Sequence, residues 1–403
     1  MAVSASTEPQ SASSQKEARR ALAIGCGAHA LHDGYTDLIW VALPIWQAEF
    51  ALSYGAVGFL RTVFSGTMAA LQIPSALVAE RLGGATVLAI GTALCGLCYA
   101  LAGLSAGFAL LLAALLLGGL GASTQHPLAS ALVARAYAGP RSITALGTYN
   151  FAGDIGKVAL PATATALLLI MPWRPAYGLL GLIGLGAGVA IFALAPRFVP
   201  EPAAAEQQAA ASGSRARFLP GYFVLLAVGA IDSATRAGFL VFLPFLLIAK
   251  GASVTTAGFA LTLVFVGGAA GKLSCAWITA RFGVVATIAI TEGLTAAGMI
   301  AVLLLPLDAA LLLLPVFGIV LNGTSSATYG SVPDFAAPAE RNRAFSWFYT
   351  GTLGAGALAP TVLGLVGDIL GVTTGVVLIA MLVLVTLPLA WLLQPRLRKQ
   401  PAA

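Results

Sequence analysis

The sequence predicts an all-α integral membrane protein with twelve transmembrane helices in two six-helix halves, and three observations support this. Of the 403 residues, 59% are hydrophobic and 9% are charged, whereas an ordinary soluble domain has about 25% charged residues. Apolar stretches of about 20 residues, the length that crosses a bilayer, follow one another from Ala21 to Leu393. The two halves flanking a polar interval also match each other at an offset of about 200 residues.

The apolar stretches define twelve segments, numbered here in chain order. They cover residues 21–48, 54–79, 85–104, 107–134, 142–170, 175–195, 220–248, 254–279, 284–305, 309–332, 343–366 and 372–394. We expect two six-helix bundles at 21–196 and 220–395, joined by a cytoplasmic linker at 197–219. Residues 1–20 are expected to be a disordered tail and 396–403 a second cytoplasmic tail.

The Lys and Arg residues indicate how the segments are oriented. Of these 21 residues, fifteen lie on one side of the twelve-segment topology, two on the other, and four within segments. Because cytoplasmic loops carry the excess of basic residues, we expect a bacterial inner-membrane protein with both termini in the cytoplasm. The same asymmetry accounts for the net charge of +6, so no nucleic-acid partner is expected.

Segment 1 carries a dense polar cluster. His29, Asp33 and Asp37 are spaced i, i+4, i+8, which places them on one helical face, and His32 lies beside them. A buried carboxylate next to an imidazole can load and release a proton. We therefore expect proton coupling at His29, His32, Asp33 and Asp37, with Asp33 or Asp37 as the carrier. Alternatively, the acids are structural and pair with Arg61 or Arg236.

Segments 4 and 5 each present a polar face to the expected cavity. In segment 4 the polar residues precede Pro127, whose missing N–H frees a backbone carbonyl. In segment 5 they share one face beside glycines that permit close helix packing. The substrate-binding candidates here are Gln125, His126, Asn150, Asp154 and Lys157. Alternatives are a packing role for His126 and a local ion pair between Lys157 and Asp154.

Further substrate-binding candidates lie in segments 2, 7, 8 and 11: they are Arg61, Asp232, Arg236, Lys272 and Tyr349. Asp232 and Arg236 occupy the repeat-equivalent positions of Asp33 and Asp37, and they can also pair with each other at i, i+4. The four cations within segments favour an anionic substrate. Five acids within segments, including Glu292, leave no overall excess of positive charge.

A short motif lies between segments 2 and 3, where residues 76–85 read Ala-Leu-Val-Ala-Glu-Arg-Leu-Gly-Gly-Ala. Its repeat counterpart is Arg281-Phe282-Gly283. With six helices per half, the halves are related by an axis along the membrane normal. In these features the whole chain resembles the major facilitator superfamily, whose loop motif is G-x-x-x-D-R-x-G-R-R. The resemblance implies a gating role for Glu80, Arg81 and Arg281.

Within that superfamily, the run from His29 to Asp37 resembles fosmidomycin-resistance-type exporters, together with Leu43-Pro44 and Leu52-Ser53. The resemblance implies proton-driven efflux of small hydrophilic or anionic drugs. Drug antiporters of the superfamily carry G-x-x-x-G-P in segment 5, and here Lys157 stands where that motif continues with Pro.

Together these features predict a secondary transporter that exports a small polar or anionic compound or drug by proton-coupled antiport and alternating access. Proton-coupled uptake of an organic anion by symport is the alternative. We expect a monomer whose partners are the substrate, protons and lipid, with the proton gradient as energy source and no cofactor, catalytic residue or metal. An enzyme would need a nucleophile or ligand cluster, and His29, His32 and Asp33 do not share one helical face. A receptor or scaffold would not require charges at repeat-equivalent positions.

Overall fold

The computed structural model describes residues 12–137, 140–198, 218–337 and 340–397. Most of the predicted tails and linker therefore lies outside the described residues. Those residues form thirteen α-helices and a 3-10 helix at Val332–Phe335. The α-helices are α1 Ala12–Phe50, α2 Tyr54–Leu82, α3 Gly84–Leu104, α4 Phe108–Ala122, α5 Gln125–Ala136, α6 Pro140–Leu167, α7 Trp173–Leu194, α8 Tyr222–Ala249, α9 Val254–Phe282, α10 Val284–Leu304, α11 Leu307–Gly330, α12 Arg341–Leu384 and α13 Thr386–Leu397.

These helices make twelve membrane crossings, which confirms the predicted fold class. Nine helical stretches of the described chain are long and apolar enough to cross a membrane. One of them, Phe108–Ala136, joins α4 and α5 into a single crossing. Another, Arg343–Pro395, is two crossings, because the chain reverses at Gly371 (φ 80°, ψ 158°) and Gly367 and Gly375 both lie against the Phe242 ring. The charged helices α1 and α6 complete the twelve.

The internal repeat is visible in the helix ends. α2 and α3 have the same bounds as α9 and α10 when 200 is added to each residue number. Ser53 and Ser253 cap α2 and α9 by accepting the backbone N–H three residues on, at 3.2 and 3.0 Å, as N-caps do. The next turns contain Gly83 (φ 85°) and Gly283 (φ 81°), a backbone region that favours glycine. The positive φ of this turn therefore explains why the predicted loop motif contains a glycine at Gly83.

Segment 4 is broken between α4 and α5, one turn before Pro127. Pro127 cannot donate to the Ser123 carbonyl, and the Ser75 hydroxyl of α2 shares its hydrogen between that oxygen, at 3.0 Å, and the Gln72 carbonyl, at 2.8 Å. The freed carbonyl that we expected to favour a binding face is therefore satisfied inside the bundle.

The two bundles meet closely at one end of the molecule, here called the closed end, which carries the turns at 51–53, 250–253 and Gly371. Gly58 of α2 packs directly on the backbone of Pro360 of α12. The Thr62 hydroxyl donates to the Ala357 carbonyl at 2.6 Å. One turn further on, a Cβ atom placed on Gly66 or on Gly354 would meet no atom of a neighbouring helix within 4 Å. α2 and α12 therefore separate towards the opposite end, here called the open end.

Candidate functional site

A cavity of about 260 Å³ lies between the two bundles, where α2 and α12 begin to separate. Both bundles contribute polar side chains to it, and most of the predicted site residues are among them. Its charged and histidine lining consists of His32, Asp33, Asp37, Arg61, His126, Asp154, Lys157, Arg236 and Lys272. Smaller polar groups also line it, including Thr36, Ser65, Ser233, Asn322 and Ser325. The structure thus brings together residues from seven helices that the sequence could place only one helix at a time.

Asp33 is the centre of a buried network in the amino-terminal bundle. Its carboxylate lies 3.4 Å from Lys157 Nζ, 3.4 Å from His29 Nε2 and 3.9 Å from His32 Nε2. Lys157 reaches it because α1 and α6 pack closely: a Cβ on Gly156 would overlap the backbone of Ala30, the role expected for the segment 5 glycines. His29 Nδ1 lies 2.9 Å from the Tyr149 carbonyl, which fixes its ring.

A second ion pair crosses between the bundles. Lys272 Nζ of α9 lies 2.5 Å from Asp154 Oδ1 of α6. Lys157 and Asp154 therefore take partners on other helices and not each other, which excludes the local pair considered from the sequence. Of the four cations that line the cavity, these two are neutralised by acids that line it too.

The other two cations are arginines on opposite bundles. Arg61 of α2 is buried, its guanidinium carbon lies 4.4 Å from the Trp40 ring centroid, and its Nη1 has no hydrogen-bond partner among the described residues. Arg236 of α8 lines the same cavity, and within the described chain it forms no ion pair shorter than 4 Å. Neither arginine pairs with Asp33 or Asp37 at that distance, which excludes the structural salt bridges considered above.

Asp37 is placed differently from Asp33. It accepts a hydrogen bond from Trp40 Nε1 at 3.1 Å, and in the described part of the chain no cation lies within 4 Å of it. Trp40, which the sequence analysis missed, therefore contacts both Asp37 and Arg61. Its spacing i+3 from Asp37 was the signal that could have identified it.

Four predicted substrate ligands, Gln125, Asn150, Asp232 and Tyr349, lie outside this cavity. Gln125 is buried within the amino-terminal bundle, where its Oε1 accepts from the Tyr149 hydroxyl at 3.2 Å. Asn150 lies on an exposed part of α6, because the cavity-facing stripe of that helix begins one turn later, at Asp154. Tyr349 lines a smaller neighbouring cavity together with Asp232 and Arg236.

The predicted gating residues lie at the open end. Arg81 and Arg281 are exposed in the last turns of α2 and α9, and Glu80 is half-buried beside Arg81. Their gating role stays a prediction.

His126 joins the histidines of α1 from a second helix. Its ring centroid lies 4.7 Å from that of His32 and 5.4 Å from that of His29. Potential metal-ligand atoms of His29, Asp33 and His126 lie within 4.8 Å of one another, so the sequence-based argument, which considered His29, His32 and Asp33 of one helix, is corrected by a third member from α5. However, Lys157 already supplies a positive charge to Asp33, which disfavours a metal cation at this carboxylate.

Comparisons with known proteins identify relatives over the whole chain. The family model of the Major Facilitator Superfamily matches residues 26–231 and 225–403. A bacterial homologue of the human lysosomal transporter Spinster, solved in an inward-facing, occupied conformation, has a TM-score of 0.79 at 17% identity, with 94% of this chain and 97% of that chain covered. The human organic anion transporter MFSD10 has a TM-score of 0.65 at 17% identity, with coverages of 93% and 99%.

A nucleoside transporter, NupG, has a TM-score of 0.75 at 13% identity, with 94% of this chain and 99% of that chain covered. No curated protein sequence matches the chain. At these identities the solved structures show the fold alone, so the substrate has to be argued from the cavity.

Proposed function

The chain belongs to the major facilitator superfamily and is a multi-pass membrane transporter of solutes, and on this premise we propose that it carries a small organic anion in exchange for protons. The two bundles, bounded as predicted from the sequence, rock around the central cavity in alternating access. The protein acts as a monomer in a bacterial inner membrane, without a cofactor, and exports its substrate.

The observation that carries this proposal is that neither Arg61 nor Arg236 forms an ion pair within 4 Å among the described residues. Arg61 and Arg236 enter the cavity from opposite bundles, whereas Lys157 and Lys272 are neutralised by Asp33 and Asp154. A guanidinium presents a planar set of donors that suits carboxylate, phosphate or phosphonate oxygens. An anion held by both arginines would link the bundles, which is what a substrate that controls their rocking has to do.

The proton is carried by the acidic stripe of α1. Asp33 already has a cation and two imidazoles at 3.4–3.9 Å, an environment that favours its charged form. Asp37 lines the same cavity with one hydrogen bond from Trp40. Asp37 is therefore the better carrier, and Asp33, His29 and His32 form the network behind it.

The membrane orientation follows from the basic residues. With both termini in the cytoplasm, the closed end faces the periplasm and the open end faces the cytoplasm, which is an inward-facing state. The resemblance of α1 to fosmidomycin-resistance-type exporters supports export, and drug export in particular. Proton-coupled uptake of an organic anion uses the same residues and remains the alternative direction.

Transport into everted membrane vesicles tests the proposal. An imposed proton gradient should drive accumulation of fosmidomycin or of small labelled phosphonates and carboxylates, and a protonophore should abolish it. Arg61→Gln and Arg236→Gln should each abolish uptake, whereas Arg19→Gln, the same change at an exposed position outside the cavity, should not. Accumulation only in right-side-out vesicles would establish the uptake alternative, and gradient-independent movement would disprove proton coupling.

A further inference from the structure

Two acidic side chains meet deep inside the carboxy-terminal bundle, away from the acidic stripe of α1. Asp232 of α8 is 6% exposed and Glu292 of α10 is 1% exposed. Their carboxyl groups lie within hydrogen-bonding reach of each other. Ionised carboxylates have acceptor atoms only, and two such charges in contact repel each other strongly where water is excluded. The contact is therefore favourable only if one of the two groups is protonated.

The Thr324 hydroxyl lies within hydrogen-bonding reach of Glu292, but its one hydrogen has another acceptor. The Thr324 hydroxyl donates to Thr291 Oγ1 at 2.7 Å, and Thr291 donates onward to the Thr287 carbonyl at 2.8 Å. Each threonine has one hydroxyl hydrogen, and both are used in this chain. Glu292 Oε1 has no hydrogen-bond partner in the described part of the bundle. A proton on the acid pair would supply a donor, as buried polar groups require.

The other titratable groups facing the pair come from four helices. Arg236 lies one turn along α8 from Asp232, and Cys275 of α9 and Tyr329 of α11 are close enough to interact with that carboxyl electrostatically. Tyr349 of α12 lines the same small cavity. Within the described residues, no cation lies within 4 Å of either carboxyl, so no ion pair replaces the shared proton.

A small cavity adjoins both this pair and the substrate cavity. Asp232 lines a cavity of about 100 Å³, and Ser233, Arg236, Ser325 and Leu353 line both that cavity and the central one. The two cavities are therefore neighbours, and the polar side chains of Ser233, Arg236 and Ser325 lie between them.

We propose that Asp232 and Glu292 share one proton at neutral pH and form a second proton-binding site, separate from the acidic stripe of α1. This proposal rests on the proposed function only for its role in the transport cycle. The proton leaves to water in the neighbouring cavities when the bundles change conformation, and the pair then carries two negative charges that Arg236 faces. This second proton-binding site lies in the carboxy-terminal bundle, whereas Asp37 lies in the amino-terminal bundle.

Infrared spectroscopy of the purified full-length protein in lipid tests this directly. The wild type should show the C=O stretching band of a protonated carboxyl at neutral pH, with the small shift in deuterated water that identifies such a group. Glu292→Gln should remove that band, because the new amide can donate to an ionised Asp232. Asp33→Asn should leave it unchanged, since Asp33 is held ionised by Lys157.

A second variant keeps the test decisive if Glu292→Gln does not fold. Thr324→Val removes a hydroxyl next to the pair and should shift the band without removing it. Absence of the band in the wild type, or its survival unchanged in both Glu292→Gln and Thr324→Val, would overturn the proposal. The infrared spectra need neither substrate nor a proton gradient. Failure of the vesicle experiment would therefore refute the proposed function but not the shared proton of Asp232 and Glu292.

Discussion

At the scale of single residues, the chemistry of the cavity is decided by which charged groups find partners. Asp33 has Lys157 and Asp154 has Lys272 within 4 Å, whereas among the described residues no carboxylate lies that close to Arg61 or Arg236. Buried charges are retained in a membrane protein when they pair or serve a function. The paired groups therefore stabilise the bundles, and the proposed anion site is formed by the two groups without such an ion pair, Arg61 and Arg236.

Removing one partner of the Lys157–Asp33 ion pair should destabilise the protein. We expect Lys157→Met or Asp33→Asn to cost about 1–3 kcal/mol, less than the loss of one partner of a fully buried pair, because the Lys157 side chain is 35% exposed. The double variant should cost less than the two single changes added together, since it leaves no unpaired charge. Thermal unfolding of the purified protein measures this.

Lys272→Met provides the matched comparison, because the Lys272 side chain is 44% exposed and water screens its loss more effectively. Lys272→Met should therefore lower the free energy of unfolding by less than Lys157→Met does. Strictly additive effects of Lys157→Met and Asp33→Asn would contradict the pairing.

Residue-scale features could be predicted where one helix determines them and not where two helices do. The stripe of His29, Asp33 and Asp37 follows from helical spacing, and His29 and Asp33 do lie in contact. The partners of these acids depend on the approach of α6 to α1, which the spacing of Asn150, Asp154 and Lys157 does not specify. For the same reason Gln125 and Asn150 were assigned to the cavity although Gln125 is buried within one bundle and Asn150 lies one turn beyond the cavity lining. Glu292 entered the sequence analysis only as one of five acids within segments, because its contact with Asp232 joins two helices.

At the scale of helices, contacts between α2 and α12 hold the closed end together. Asp368 of α12 accepts the backbone N–H groups of Tyr54 and Gly55, at 2.6 and 2.9 Å, so it caps the first turn of a helix in the other bundle. Gly58 allows the two backbones to touch one turn later. Both contacts have to break when this end opens, so substitutions here should shift the balance between conformations.

Gly58→Val should weaken closure because its side chain would overlap the Pro360 backbone. Distances between spin labels at Leu104→Cys and Leu304→Cys, exposed repeat-equivalent positions at this end, measure closure after replacement of the four native cysteines. Gly58→Val should lengthen the mean distance. Gly66→Val, on the same helix with nothing within 4 Å, should leave it unchanged, and equal effects of both would refute the assignment.

Asp368→Ala should also favour opening of this end, by about 0.5–2 kcal/mol, the usual value of a helix N-cap. Asp368→Asn keeps one acceptor oxygen and should have a smaller effect. Asp308→Ala removes an acid from the first turn of α11 and serves as the control. The same pair of spin labels reports the outcome, and an unchanged distance distribution in Asp368→Ala would show that this cap does not hold the bundles together.

The helices themselves could be predicted from length and apolarity, because membrane crossings must satisfy their own backbone. Their ends at Ser53 and Ser253, and at Gly83 and Gly283, follow from local capping and turn chemistry. The break between α4 and α5 lies where Pro127 allows a kink, whereas the contact of the freed carbonyl with Ser75 of another helix could not be predicted. Asp368 attracted no attention in the sequence because its partners are backbone groups more than 300 residues away.

At the scale of the whole molecule, two bundles close at one end around a cavity that receives from each an arginine with no ion pair among the described residues. Neither bundle alone contains a complete anion site, and an anion that binds both arginines should be held most tightly when the bundles are close. Substrate binding is thereby linked to the conformational balance, since a ligand shifts an equilibrium only through its differential affinity for the two states.

Thermal stabilisation of the purified protein by small ligands tests this account most directly. Organic phosphonates or carboxylates that occupy the cavity should stabilise the wild type by about 2.7 kcal/mol at a concentration 100 times Kd, whereas neutral analogues of the same shape should not. Arg61→Gln and Arg236→Gln should each lose the effect, and Arg19→Gln should retain it. Stabilisation by neutral or cationic compounds in place of anions, or an undiminished response of either cavity variant, would contradict the central claim that two opposed arginines form an anion site.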